Sequence, residues 1–149
     1  MRAVVQRVSR AQVRVDGRTI GTIEGGLCVL LGVGVDDTPA DAQAIASKVA
    51  GLRVFRDDEG LMNRSLADCG GALLLISQFT LHGDVRKGRR PSFITAAREE
   101  LARALYDLTG KLLEQDGLRV AYGEFGAMMD LELINDGPVT ILIDSKRTF

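Results

Sequence analysis

Ala72-Leu73-Leu74-Leu75-Ile76 is an unbroken apolar run set between Gly70-Gly71 and the polar pair Ser77-Gln78. A short apolar run bounded by turn residues, with no polar position alternating through it, reads as a strand buried on both faces. Leu27 to Val33, which follows Gly25-Gly26, repeats the pattern and reads as a second central strand. Two such strands oblige the rest of the chain to cover both of their faces. The 149 residues are 46% apolar, enough for one domain with one real core. Aromatics make up 5% and Trp is absent, so that core must be aliphatic.

The covering elements can be read from local signals. Ala3 to Val8 and Gln12 to Val15 read as strands, and the turn at Asp16-Gly17 leads into a third, Arg18 to Ile23. Thr38, Pro39 and Asp41 form a helix-start signature, with the apolar stripe Ala42, Ile45, Ala46 and Val49 behind it and Gly51 to end it. Leu52 to Phe55 reads as a short strand. A second helix is predicted from about Thr95 to Gln115 on the stripe Leu101, Leu105, Leu108 and Leu112, although Gly110 weakens it by about 1 kcal/mol relative to Ala. Three late strands follow, over Leu118 to Tyr122, Met128 to Ile134 and Val139 to Ile143, with Asp130 and Glu132 on a face that meets water or a partner. No composition break or repeat divides the chain. The expected class is α+β (α/β): a single domain over 1–149, with a curled mixed or antiparallel β-sheet covered on one side by two main helices. Exposed strand edges would remain, and a dimer is one way to hide them.

A formal net charge of −1 argues against a protein coated in positive charge to hold long duplexes. No apolar run could span a bilayer and no leader segment is apparent, so a cytoplasmic location and no membrane partner are expected. Cys28 and Cys69 stand alone and read as buried thiols, and neither a metal site nor a cofactor is expected.

Four constellations can carry chemistry. Ser77-Gln78-Phe79-Thr80-Leu81 lies where the chain leaves the core, which is where a rigid scaffold hands side chains and turned-out amides to a ligand. By residue type alone, Ser77 and Thr80 are strand-end caps. A nucleophile would need an adjacent base, and the one His of the chain, His82, sits in a polar loop where a solvated side chain is the ordinary case. Asn135-Asp136-Gly137-Pro138-Val139-Thr140 reads as a turn with a trans Gly-Pro bond, or as a stiff backbone wedge beside a pocket. Arg86, Lys87, Arg89 and Arg90 make a local positive spot that is either a solvated loop or a phosphate contact, with an RNA end as a reasonable ligand. Arg7, inside an apolar first strand, reads as solvent-facing.

Read together, Gln6-Arg7-Val8, Ser77-Gln78-Phe79-Thr80-Leu81, Arg90-Pro91-Ser92-Phe93 and Asn135 to Thr140 resemble the signature of the D-aminoacyl-tRNA deacylase (D-tyrosyl-tRNA deacylase) family, in order, spacing and total length. The resemblance implies a homodimer with active sites at its interface and a cis Gly137-Pro138 bond. That wedge enters the partner's pocket, where its carbonyl oxygens leave no room for an L side chain, and Arg7 braces it. The implied reaction hydrolyses the ester between a D-amino acid and the 3′-terminal adenosine of tRNA, with mischarged glycyl-tRNA as a further substrate. Absence of a strong base fits catalysis by positioning and by an oxyanion site of backbone N–H groups near Gln78, Phe79 and Thr80, helped by the 2′-hydroxyl of the tRNA. Thr80 as a covalent nucleophile is the rival mechanism. A non-catalytic nucleic-acid-binding module and a general small-ester hydrolase are the rival functions.

Overall fold

Strand β1 (Arg2–Val15) organises the molecule, joining into one 14-residue strand the two segments that the sequence suggested separately. In the computed structural model, which describes residues 1–148, its first half pairs antiparallel with β3 (Gly26–Gly32) and its second half with β2 (Arg18–Ile23). Its other edge runs antiparallel along β8 (Asp130–Asp144). Beyond β3 lie β6 (Ala72–Ser77) and β7 (Arg119–Tyr122), both added in parallel. Parallel neighbours need a crossover. Helix α1 (Pro39–Ala50) lies on the connection from β3 to β6, and α2 (Glu99–Gln115) on that from β6 to β7. A small hairpin of β4 (Phe55–Arg56) and β5 (Met62–Arg64) stands apart from this mixed sheet.

The two apolar runs are β3 and β6, paired side by side and buried on both faces. Leu27, Val29, Leu31, Leu73 and Leu75 face the helix layer and meet Ala42, Ile45, Val49, Leu105 and Leu113. The alternate residues Cys28, Leu74 and Ile76 face the inside of the curl, against Val8, Val13 and Ile23. Period-two alternation thus feeds two cores from one pair of strands. The start of α1 follows its signature, with the Thr38 amide donating to Asp41 Oδ2 at 2.9 Å.

Several expectations are corrected. β8 runs unbroken through Asn135 to Pro138, where a turn between two strands was expected. Its register against β1 shifts on both sides of Val8, and among the described residues β8 pairs only with β1. A bulge on an edge strand is where a ladder tolerates a proline without an N–H. Helix α2 begins at Glu99; the predicted stripe Leu101, Leu105, Leu108 and Leu112 packs on the core, and the most buried positions extend beyond it to Tyr106, Thr109, Gly110 and Leu113. Gly110 lies on that extension, so close to Tyr122 that a Cβ there would stand 2.6 Å from the ring. Leu52 to Val54 precede the short strand rather than belonging to it. Cys28 is buried, and its thiol is pushed up to about 12 by that burial. Cys69 is exposed, because it lies in the turn before Gly70 rather than in the core.

Candidate active site

β6 ends at Ser77, and the next amide, Gln78 N–H, donates to the Leu31 carbonyl at 2.8 Å, which pins the strand exit to β3. The chain then tightens into a 3-10 turn over Phe79–His82, closed by Leu81 N–H to the Gln78 carbonyl (3.3 Å) and Gly83 N–H to the Thr80 carbonyl (2.9 Å). The first amides of such a turn have no partner inside it. The Phe79 and Thr80 N–H groups have no acceptor among the described residues, and both residues are exposed. The Gln78 side-chain amide donates to Thr80 Oγ1 at 2.5 Å. With that oxygen accepting from Gln78, the Thr80 hydroxyl proton is left to point at a ligand.

Ser77, Gln78, Phe79 and Thr80 border a cavity of about 620 Å³, within the range of small-molecule sites. Tyr106, Phe125 and Met129 line its apolar interior. Tyr106 donates its hydroxyl to the Leu75 carbonyl at 2.8 Å, and burial holds that phenol well above its ordinary range. Phe125 packs on Tyr106 with ring centroids 5.6 Å apart, and the Arg103 guanidinium lies 4.6 Å from the Phe125 centroid. Sequence reasoning missed these lining residues. Tyr106 had one signal, an aromatic beside the apolar stripe of α2. Phe125 and Met129 had none, since they come from the irregular segment between β7 and β8 and meet the others only in three dimensions.

His82 is buried rather than solvated. Its ring packs against Gly32 and Gly34, because it closes the 3-10 turn instead of extending into the loop. Its Nε2 has no hydrogen-bond partner among the described residues. Burial lowers its pKa, and a backbone hydrogen bond with Gly32 offsets part of that. It does not line the cavity, so it is not placed to activate Ser77 or Thr80.

Arg7 is 2% exposed, so the solvent-facing expectation is overturned. Its Nε donates to the Asp136 carbonyl at 3.1 Å and lies 3.0 Å from Asp136 Oδ2, while Nη1 donates to the Val54 carbonyl. An arginine in a sheet is tolerated there because its fork meets carbonyls and a carboxylate. Gly137-Pro138 is cis, against the trans expectation from bond statistics and in line with the family resemblance. Gly137 has φ +125°, and a Cβ there would lie 3.0 Å from Arg7 Nη2. A side chain is excluded by both conformation and space. Neither Gly137 nor Pro138 lines the cavity formed by residues of the same chain.

The basic segment is an excursion closed by Asp84 and Ser92, which exchange main-chain hydrogen bonds of 2.8 and 2.9 Å. Arg86 grips the Asp84 carboxylate with Nε at 2.9 Å and Nη2 at 2.6 Å, holding that carboxyl down at about 2. Lys87, Arg89 and Arg90 are exposed and have no ion-pair partner among the described residues. None of the four cations lines the cavity. The described residues contain no cluster of His, Cys, Asp and Glu that could hold a metal, and no helix long and apolar enough to cross a membrane.

A curled mixed sheet, two crossover helices and an apolar cavity edged by two unbonded amides define an α+β protein suited to hold a small ligand against an anion-accepting turn. The chain belongs to the D-Tyr-tRNA(Tyr) deacylase family, whose sequence pattern matches residues 4–144. A D-aminoacyl-tRNA deacylase of Koribacter versatilis is 59% identical over 149 residues, covering all of both chains. Another, from Halalkalibacterium halodurans, is 56% identical over 98% of this chain and all of its own. Among solved structures, one titled "c-Myc DNA Unwinding Element Binding Protein" superposes with a TM-score of 0.91 at 40% identity, covering 97% of this chain and 98% of its own. A probable eukaryotic D-amino acid tRNA deacylase shares the fold with a TM-score of 0.82 at 20% identity, over 95% and 97% of the two chains.

Proposed function

We propose that this protein hydrolyses the ester of D-aminoacyl-tRNA, and of mischarged glycyl-tRNA, releasing the free amino acid and tRNA as a proofreading step in translation. Family membership and full-length relatives named D-aminoacyl-tRNA deacylase support the reaction. The observation that carries the mechanism is the pair of unbonded amides of Phe79 and Thr80 at the mouth of the cavity.

An aminoacyl ester is already activated, so positioning and charge stabilisation can suffice. Water attacks the ester carbonyl, and the developing oxyanion accepts from the Phe79 and Thr80 N–H groups. The C–O bond to the 3′-oxygen then breaks, that oxygen takes up a proton, and the acid leaves. Ser77 and Gln78 shape the turn, and Gln78 orients the Thr80 hydroxyl toward the aminoacyl group or the water. The vicinal 2′-hydroxyl of the terminal ribose positions the water.

Chirality is selected by exclusion. In a homodimer, Gly137-Pro138 of one subunit enters the cavity of the other. Its carbonyls stand where an L side chain would go, and Arg7 braces it from behind through Asp136. Arg86, Lys87, Arg89 and Arg90 face tRNA phosphates. A cytoplasmic location fits a substrate drawn from translation.

Side-by-side incubation with D-tyrosyl-tRNA and L-tyrosyl-tRNA tests the reading. Release from the D-form alone is expected. Release from both would indicate a general esterase. A second reading, nucleic-acid binding without catalysis, is favoured by the neighbour whose title names DNA binding, and release from neither form would leave that one standing.

A further inference from the structure

We propose that Phe79 and Phe93 form an aromatic track that carries the single-stranded 3′ end of the tRNA out of the cavity, with the nucleotide preceding the terminal adenosine stacked on Phe93 and its phosphates held by Arg89 and Arg90. The proposal rests on the deacylase reading and adds a recognition surface to it.

The order of the parts in space suggests it. Phe79 borders the cavity and Phe93 does not. Their rings meet edge to face, 5.2 Å between centroids at 71°, so Phe93 is one ring-width outside the mouth. The two rings remain 57% and 36% exposed. The Phe93 ring sits on Gly83, where a Cβ would be 3.0 Å from it, and this contact fixes the ring at the foot of the basic excursion. The Asp84–Ser92 pairing closes the excursion that carries the cations, one residue before Phe93. A terminal nucleoside held in the cavity must be followed by the rest of its strand. From the mouth outward comes the Phe79–Phe93 ring pair, and the segment that ends at Phe93 carries the cations.

Charge selects the occupant. The segment from Asp84 to Phe93 carries four cations and one carboxylate, and Arg86 already takes that carboxylate, leaving Lys87, Arg89 and Arg90 without an ion-pair partner among the described residues. An apolar protein surface docked on Phe93 would desolvate those cations without repayment. A single-stranded RNA satisfies both features, since every base has a face to stack and every link a phosphate. Stacking also tolerates sequence, as suits a segment common to all tRNAs.

The test compares D-tyrosyl-tRNA with the D-tyrosyl ester of adenosine, which lacks every upstream nucleotide. Phe93→Leu keeps apolar bulk on Gly83 and removes the stacking face. The ratio of kcat/KM on the tRNA ester to that on the adenosine ester should fall about 10-fold, within the range of one lost base stack. Combined Arg89→Ala and Arg90→Ala should lower the same ratio and flatten the salt dependence of tRNA binding by ~0.7 in log–log slope per lost phosphate. Equal loss on both esters, an unchanged ratio, or a Phe93→Leu protein whose defect is a change of subunit association overturns the proposal. Wild-type protein inert on both esters would instead remove the deacylase reading. Equilibrium binding of uncharged tRNA then decides: Phe93→Leu must weaken it about 10-fold, and unchanged binding overturns the track.

Discussion

Thr80 has one oxygen with two possible uses, and its surroundings favour one of them. Gln78 already donates to Oγ1, and no base stands beside it to take its proton. In the proposed mechanism a hydroxyl so placed acts as a donor, while the Phe79 and Thr80 amides would hold the charge. Thr80→Ala keeps both amides and should retain turnover of D-tyrosyl-tRNA within about 10-fold, as for one auxiliary hydrogen bond. A loss of several orders of magnitude would make Thr80 the nucleophile. His82 gives a second residue-scale test. Burial sets its folded pKa below the ordinary value of 6.5, so the unfolded chain takes the proton first. The Arg2 guanidinium and the Met1 amine oppose the charged form, and Asp37 favours it only in part. The native state is therefore unpenalised above pH 6.5 and loses stability as pH falls below it toward the folded pKa. The carboxylates of Asp41 and Asp84, held low by their hydrogen bonds, titrate well beneath that window. Between pH 7 and about 5 the urea midpoint of the wild type should drop, and that of His82→Leu should drop less.

At the scale of elements, α2 and β7 are matched through Gly110. Replacing a helical glycine with Ala ordinarily gains about 1 kcal/mol. Here the new Cβ would meet Tyr122 at 2.6 Å, and that ring is held by Glu114 at 2.7 Å and by edge contact with Tyr106. Gly110→Ala should therefore destabilise the protein by roughly 1–3 kcal/mol in urea denaturation. In a Tyr122→Ala background the same change should become stabilising. The sequence could reveal that α2 exists, since its apolar period and its ending are local. Its leucine stripe does pack on the core, but the sequence could not reveal that the inward face extends to Gly110, because that depends on a tyrosine twelve positions further along the chain. β3 and β6 were legible for the opposite reason: burial on both faces leaves a continuous apolar run whatever their neighbours are. The unity of β8 was hidden because Asn, Asp, Gly and Pro also spell a turn, and only its pairing with β1 distinguishes a bulge from one. The same limit applies to the site. Residues 77–80 were visible as a strand end, whereas Tyr106, Phe125 and Met129 converge on it from separate elements.

For the whole molecule, the decisive feature is that wedge and cavity do not meet within one chain. Pro138, Thr140 and Leu142 alternate onto the outer face of β8, the face opposite Val139 and Ile141, which pack toward the core. Leu142 is 59% exposed there, and Ile134, earlier in the same strand, is 54% exposed. Apolar side chains of that size on an edge strand are what a second copy would cover, and the proposed dimer has Gly137-Pro138 of the same strand enter the neighbour. The dimer proposal thus joins stability and chirality in one surface. Leu142→Lys puts a charge at the proposed interface while touching neither the cavity nor Arg7, and a lysine at an exposed strand position should fold normally. The wild type is expected to sediment as a dimer that cleaves only the D-ester, and Leu142→Lys as a folded monomer. Deprived of the partner's wedge, that monomer should lose discrimination, any remaining release from D-tyrosyl-tRNA being matched by release from the L-form. A monomeric Leu142→Lys protein that still rejects L-tyrosyl-tRNA would place the selecting element inside the subunit and end the two-chain model of the site.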